Sequence, residues 1–184
     1  MYKRLMESSY TAFAGAEQIA AGSLRDVTRV ARASYEAGLT HLLIFDDLSG
    51  RQVDLDLRNA PPENKSDGAP RGRPRLGVTA REVTLLPRHW EWLADQPGGA
   101  SAALRRLVDQ AQNSAPGLAE KSRTATYRVM LALAGNLPRY EDANRALFAG
   151  DLDTAEAIAR AWPRDISTYI QKQIRQLRAF LEAR

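Results

Sequence analysis

The chain has 184 residues and a formal net charge of +4, with 44% apolar and 26% charged residues, which is the composition of an ordinary soluble globular protein. It has no cysteine, so disulfides, zinc–thiolate sites and thiol nucleophiles are excluded. No stretch is apolar enough for a membrane span, and residues 1–21 lack the apolar core of a secretion signal, so a cytoplasmic location is expected.

Residues 10–58 predict a compact α+β unit with the order ββαββ. Two short runs around a glycine favour a first hairpin, and Ser23 is placed to cap a helix that closes at Gly38. Residues 41–45 form a short apolar run typical of a buried strand. Residues 51–58 alternate apolar and charged side chains, which predicts a second hairpin strand with its apolar side inward.

Residues 59–80 predict a flexible basic linker. Proline and glycine recur among polar residues without periodicity. Four basic residues against two acidic ones give this stretch a formal charge of +2.

Residues 81–113 predict a strand followed by two helices. Residues 81–87 read as the strand, Pro87 suits the first position of a helix, and Ser101 is a candidate cap for the second helix. A Pro-Gly-Gly turn separates the helices. The positions expected to face a core are Val83, Leu85, Trp90, Leu93, Ala94, Leu104, Leu107, Val108 and Ala111.

Residues 114–184 predict a helical C-terminal region. A pair of helices flanks the turn Gly150-Asp151, with Asp151 or Asp153 as the candidate cap of the second helix, and Pro163 ends that helix. Asp165 is the predicted cap of a final helix. One face of that helix carries Ile166, Ile170, Ile174, Leu177 and Leu181, with Tyr169 and Phe180 beside it.

The pentapeptide Arg71-Gly72-Arg73-Pro74-Arg75 resembles the core of an AT-hook. In that family the Arg-Gly-Arg-Pro core lies extended in the minor groove of A·T-rich DNA, where the narrow groove concentrates negative potential. The resemblance implies that Arg71, Arg73 and Arg75 contact DNA. The alternative interpretation is a solvated linker.

Residues 81–112 resemble a ribbon-helix-helix unit. In such proteins strands from two chains pair into a ribbon that enters the major groove. The resemblance implies a homodimer in which Arg81 and Thr84 face the groove and the start of the second helix, near Ser101, holds a phosphate. The strand is one residue shorter than the usual pattern before its leucine-proline pair. An ordinary strand and two helices of a core is the alternative.

Four phrases resemble an uncharacterised bacterial family with no assigned function. They are Phe45-Asp46-Asp47, Val53-Asp54-Leu55-Asp56-Leu57, the run REVTLLPRHWEWL at residues 81–93, and Gly135-Asn136-Leu137-Pro138. The resemblance covers nearly the whole chain. It implies a bacterial origin and one recurrent architecture, and no activity.

The sequence predicts neither an enzyme nor a cofactor or metal site. Asp46, Asp47, Asp54 and Asp56 are oxygen ligands in principle, but a turn and a solvent-facing strand explain them. No nucleophile elbow, Walker loop or dinucleotide-binding glycine motif occurs. The predicted function is DNA binding by a homodimeric bacterial regulator of transcription or nucleoid-associated factor. The alternative is a protein-interaction module that binds a partner through its helical C-terminal part, without a nucleic-acid role.

Overall fold

The computed structural model describes residues 9–55 and 79–183. The chain divides into two compact units. The first unit comprises Met1–Asn59 and Ser114–Arg184, and the second unit comprises Ala60–Asn113. The strands and helices, in chain order, are β1 (Tyr10–Ala14), β2 (Glu17–Gly22), α1 (Leu24–Glu36), β3 (Leu42–Asp46), α2 (Pro87–Ala94), α3 (Gly99–Asn113), α4 (Ala115–Ala134), α5 (Tyr140–Ala149), α6 (Leu152–Ala159) and α7 (Arg164–Glu182). The predicted α+β class with a helical C-terminal part is confirmed.

The first unit is built on a three-stranded antiparallel sheet in the order β2-β1-β3. Side chains alternate between its two faces. Ala12 and Ile44 pack against the buried side of α1, whereas Phe13 and Phe45 belong to the core formed with the C-terminal helices. The ring of Phe13 lies 5.4 Å from that of Tyr169 on α7. The sheet is therefore covered by helices on both faces.

The C-terminal helices follow the predicted pattern. Asp151 caps α6 by accepting a hydrogen bond from the Thr154 amide at 3.1 Å. The predicted apolar face of α7 is buried, apart from the partly buried Leu181. Asp165 does not cap α7, because the helix already begins at Arg164. Its carboxylate instead accepts a hydrogen bond from the backbone amide of Gln18.

The predicted fourth strand at residues 51–58 is wrong over the residues that the structure describes. In residues 51–55 the pairing is limited to a single bridge between Gln52 and Phe45. The apolar alternation still sets the direction of the side chains, because Val53 and Leu55 pack against the α1 side of the sheet. The remaining residues of that predicted strand lie outside the described part of the chain.

The second unit contains α2 and α3. Gly98 and Gly99 adopt positive φ angles between the two helices, and the proline at the start of α2 is as predicted. Residues 81–86 form no hydrogen-bonded ladder with the other residues that the structure describes, and Val83 is 51% exposed. The predicted pairing of this segment with a second chain stays a prediction. Ser101 is not a cap, because α3 begins two residues earlier, at Gly99.

Few apolar side chains of this unit are buried. Among residues 79–113 only the side chains of Leu93 and Ala103 are buried. The helical spacing predicted the apolar faces, but two short helices cannot cover one another completely.

Candidate functional site

The carboxylate of Asp47 is the centre of the most connected polar cluster that the structure describes. It lies in the turn after β3 and is 5% exposed. Its Oδ1 accepts hydrogen bonds from the hydroxyls of Thr11 and Tyr169, both at 2.8 Å. Its Oδ2 accepts from Ser9 at 2.7 Å and from the Lys172 ammonium at 2.8 Å. Residues distant in sequence therefore converge on one side chain.

The electrostatics of the cluster keep Asp47 ionised and Tyr169 protonated. Burial raises the pKa of Asp47, but the hydrogen bonds from Lys172, Ser9, Thr11 and Tyr169 together lower that pKa below its ordinary value. Burial and the adjacent carboxylate raise the pKa of Tyr169 well above its ordinary value. The tyrosine therefore stays a hydrogen-bond donor.

This cluster positions a turn rather than presenting a reactive group. Both carboxylate oxygens of Asp47 are occupied by donors, and its backbone carbonyl accepts a hydrogen bond from the Gln173 side chain at 3.0 Å. The backbone amide of Asp47 donates to the Ser9 carbonyl at 2.8 Å. The turn after β3 is thus held to β1 on one side and to α7 on the other.

The same turn forms one wall of a groove whose other wall is α4. The Arg128 guanidinium of α4 donates to the Ser49 carbonyl at 2.8 Å. The groove has a volume of about 440 Å³ and is lined by Gly50, Arg51, Gln52, Arg128, Leu131 and Ala132. A smaller cavity of about 280 Å³ lies beyond the end of α4, at residues 135–142.

Three of the six predicted DNA-contacting residues lie in the part of the chain that the structure describes. Arg81 and Thr84 are exposed in the segment before α2. Ser101 is exposed in the first turn of α3. Arg71, Arg73 and Arg75 lie outside the described residues.

Within the second unit, large apolar side chains are exposed on both helices and on the segment before them. Trp92 is 53% exposed and Val108 is 50% exposed. The whole set is Val83, Leu86, Trp90, Trp92, Leu107 and Val108, and we call it the 83–108 apolar surface.

Three of the four aspartates near β3 lie in the part of the chain that the structure describes. No cluster of three or more metal-binding side chains occurs in residues 9–55 and 79–183. Asp46 accepts a hydrogen bond from the Ser49 amide at 2.7 Å, Asp47 is saturated by its donors, and Asp54 is exposed. Asp56 lies outside the described residues. Over the same described ranges, no helix combines the length and apolarity of a membrane span.

Sequence reasoning missed the role of Asp47. The signal was present in the phrase Phe45-Asp46-Asp47, where a carboxylate follows an apolar strand directly. Its partner Lys172 lies on the last helix, outside the apolar face that the sequence predicts. The pairing could not be found from sequence, because 125 residues separate the two side chains.

A family model matches most of the chain. The family model described as "Uncharacterized protein conserved in bacteria (DUF2239)" matches residues 9–174. The chain belongs to this family, which confirms the predicted resemblance to an uncharacterised bacterial family. Neither a curated protein nor a solved structure matches the chain. The likenesses to the AT-hook and to the ribbon-helix-helix unit stay predictions.

Proposed function

We propose that the protein is an interaction protein that forms a homodimer through the 83–108 apolar surface and is not an enzyme. The supporting observation is the imbalance in the second unit, where six large apolar side chains are exposed and only Leu93 and Ala103 are buried among residues 79–113. Exposed tryptophans at the centre of such a set are typical of protein interfaces.

The small size of the α2–α3 pair indicates that its exposed apolar surface is stabilised by contact with another surface. Helices as short as α2, at 8 residues, are marginal without packing. A folded unit as small as Ala60–Asn113 buries too little surface to be more than marginally stable by itself. Since the chain has no cysteine, association is the stabilising route that this surface supports.

A second copy of the chain fits the surface electrostatically. Residues 81–112 contain four basic and four acidic residues, so two copies bring no net charge together. Residues 81–86 form no ladder with the other residues that the structure describes, and a strand-like segment without such a ladder is suited to antiparallel pairing with its twofold mate. A twofold dimer would use both features at once.

The alternative interface, which the sequence predicts on the helical C-terminal part, is less well supported for the last helix. The apolar face of α7 lies in the core of the first unit. A partner that bound this face would have to displace α4 and the sheet. The 83–108 apolar surface requires no such displacement.

Sedimentation of the full chain at about 50 µM tests the dimer. We expect a dimer for the unmodified protein and a shift toward monomer for Leu107→Glu, because a buried unpaired charge opposes association. Leu39→Glu is a matched control, since Leu39 is 43% exposed and Leu107 is 42% exposed. A monomeric unmodified protein, or equal dissociation in both variants, would contradict the proposal.

DNA binding is a second candidate function, and the sequence Arg71-Gly72-Arg73-Pro74-Arg75 favours it. A homodimer carries two copies of this sequence, which raises its effective concentration on one duplex. Exposed Arg81 and Thr84 are available to read base edges, and Ser101 is near the start of α3 for a phosphate contact. Such a protein would serve as a regulator or a nucleoid-associated factor.

The arginine triplet gives this candidate a quantitative test. Replacing Arg71, Arg73 and Arg75 with alanine should lower the salt slope of duplex binding by up to about 5 for the dimer, at roughly 0.9 per phosphate contact. The loss should be larger on A·T-rich than on G·C-rich duplexes. Replacing Arg81 and Thr84 should instead reduce discrimination between sequences.

A charge-matched control is the triple replacement of Arg25, Arg29 and Arg164, which are exposed elsewhere in the chain. If both triple replacements change the salt slope equally, Arg71, Arg73 and Arg75 contribute only through the net charge of the protein and not through a specific DNA contact. Absence of binding below about 10 µM at low salt, where electrostatic association is strongest, would eliminate the DNA function and leave the interaction protein.

A further inference from the structure

The groove between the turn after β3 and helix α4 has the size of a small-ligand site. Its volume of about 440 Å³ lies within the range of about 300–1,000 Å³ that ligand pockets occupy. One wall is formed by residues 50–52 and the other by a single side of α4. Neither the homodimer nor DNA binding uses it.

Both walls are fixed before any ligand arrives. The Gly50 amide donates to the Asp46 carbonyl at 2.8 Å, and the Asp46 amide donates to the Arg51 carbonyl at 2.9 Å. Gly50 has a φ of +64° and lies directly against α4, where an added Cβ would overlap the backbone of Ala125. The turn is therefore locked to the helix, and a ligand would meet a preformed site at little conformational cost.

The groove is positively charged. Arg51 is exposed and Arg128 is partly buried, and the described lining includes no acidic side chain. Neither arginine forms an ion pair with a carboxylate in the parts of the chain that the structure describes. Arg128 uses Nη1 for the Ser49 carbonyl, and its planar guanidinium keeps further donors. Such a fork matches the geometry of a carboxylate or a phosphate.

The rest of the α4 wall is apolar. Leu131 lies one turn beyond Arg128 on the same side of the helix and is 51% exposed. Ala132 continues the wall. A ligand whose anionic head reaches the arginines would place an attached carbon chain against Leu131.

We infer that this groove binds a small amphiphilic organic anion, with its carboxylate or phosphate head between Arg51 and Arg128 and its apolar part on Leu131. The two head groups share one chemistry, that of a planar or tetrahedral oxyanion. Titrations with hexanoate and with butyl phosphate distinguish them.

The experiment is a nuclear magnetic resonance titration of the isotope-labelled full chain. Hexanoate and butyl phosphate are the probes, and hexan-1-ol and inorganic phosphate are compared at the same ionic strength. At least one organic anion should bind with a Kd of about 1 mM or below and shift the amides of Gln52, Leu131 and Ala132. Hexan-1-ol and inorganic phosphate should bind roughly tenfold more weakly than the organic anion. The alcohol lacks the anionic head group, and inorganic phosphate lacks the carbon chain.

Arg51→Gln is the informative variant, since Arg51 is exposed and no described contact of its side chain holds the turn. It should weaken binding of the organic anion about tenfold. Arg164→Gln removes the same charge from the exposed start of α7 and should leave the Kd unchanged. Leu131→Ala should reduce the preference for hexanoate over acetate.

Several results would overturn the inference. They are equal weakening by Arg51→Gln and Arg164→Gln, binding of hexan-1-ol as tight as that of hexanoate, shifts confined to other surfaces, or no saturation by either organic anion. None of these measurements depends on dimer formation or on DNA.

Discussion

Replacing Asp47 with asparagine tests whether the buried carboxylate holds the β3 turn to β1 and α7. The substitution preserves shape and removes the charge. The amide oxygen can still accept from Lys172 and Ser9, while the amide nitrogen would face the hydroxyls of Thr11 and Tyr169, which can rotate to accept. The packing therefore survives, and what is lost is the charge assistance of four hydrogen bonds.

The expected loss follows from those contacts. A hydrogen bond to a charged group contributes about 1.5–3 kcal/mol and a neutral one about 0.5–1.5 kcal/mol, a difference of about 1 kcal/mol for each hydroxyl donor. The Lys172 side chain is 49% exposed, so its contribution resembles that of a surface pair, below about 1 kcal/mol. The asparagine variant no longer buries a charged group, and the desolvation free energy that it saves offsets part of the lost hydrogen-bond free energy. We expect the free energy of unfolding to fall by about 2–3 kcal/mol.

Urea unfolding followed by far-ultraviolet circular dichroism measures the change. Asp54→Asn is the matched control, because Asp54 is exposed in the segment that follows the same turn, and it should alter stability by less than about 0.5 kcal/mol. The reasoning is refuted if Asp47→Asn unfolds within about 0.5 kcal/mol of the unmodified protein.

Three further predictions concern the same region. The pKa of Asp47 is lower in the folded chain than its ordinary value, so its contribution is present above about pH 4 and is lost as the pH falls through the folded pKa. Urea titrations across acidic pH should therefore show a steeper loss for the unmodified protein than for Asp47→Asn. Gly50→Ala should destabilise more than Gly15→Ala in thermal unfolding, because both positions have positive φ but only Gly50 lies against the Ala125 backbone; equal melting temperatures would contradict this. Tyr169→Phe should lower the free energy of unfolding in urea by about 1–2 kcal/mol, since it deletes one hydroxyl donor to a buried carboxylate, and no change would show that the bond contributes nothing.

Local signals in the sequence were sufficient for most secondary-structure elements. Ser23 accepts from the Asp26 amide at the start of α1, and Gly38 adopts a φ of +89° just after it ends. The apolar spacing of the last helix was also sufficient to identify its buried face. Caps and periodicity depend on neighbours within one or two turns, which is why they are readable along the chain.

Pairing between distant segments was not readable in the same way. Residues 51–55 and 81–86 both carry strand-like patterns. Over residues 9–55 and 79–183, however, the first segment makes one bridge and the second makes none. An alternating pattern shows which side chains can face a core, but a strand also requires a partner with unpaired backbone groups in register.

The sequence alone determined the α+β class, the start and end of α1 and the absence of cysteine chemistry, because these depend on composition and on local contacts. The tertiary structure decided that Asp47 meets Lys172 and Tyr169, and that Arg51 and Arg128 line one groove. It also left the side chain of Val108 exposed, although the helical spacing predicted that Val108 would be buried. The side chain of Trp92 is exposed as well. The physical reason is that hydrogen-bond partners and covering surfaces are set by how whole elements pack. That packing depends on side chains more than a hundred residues apart.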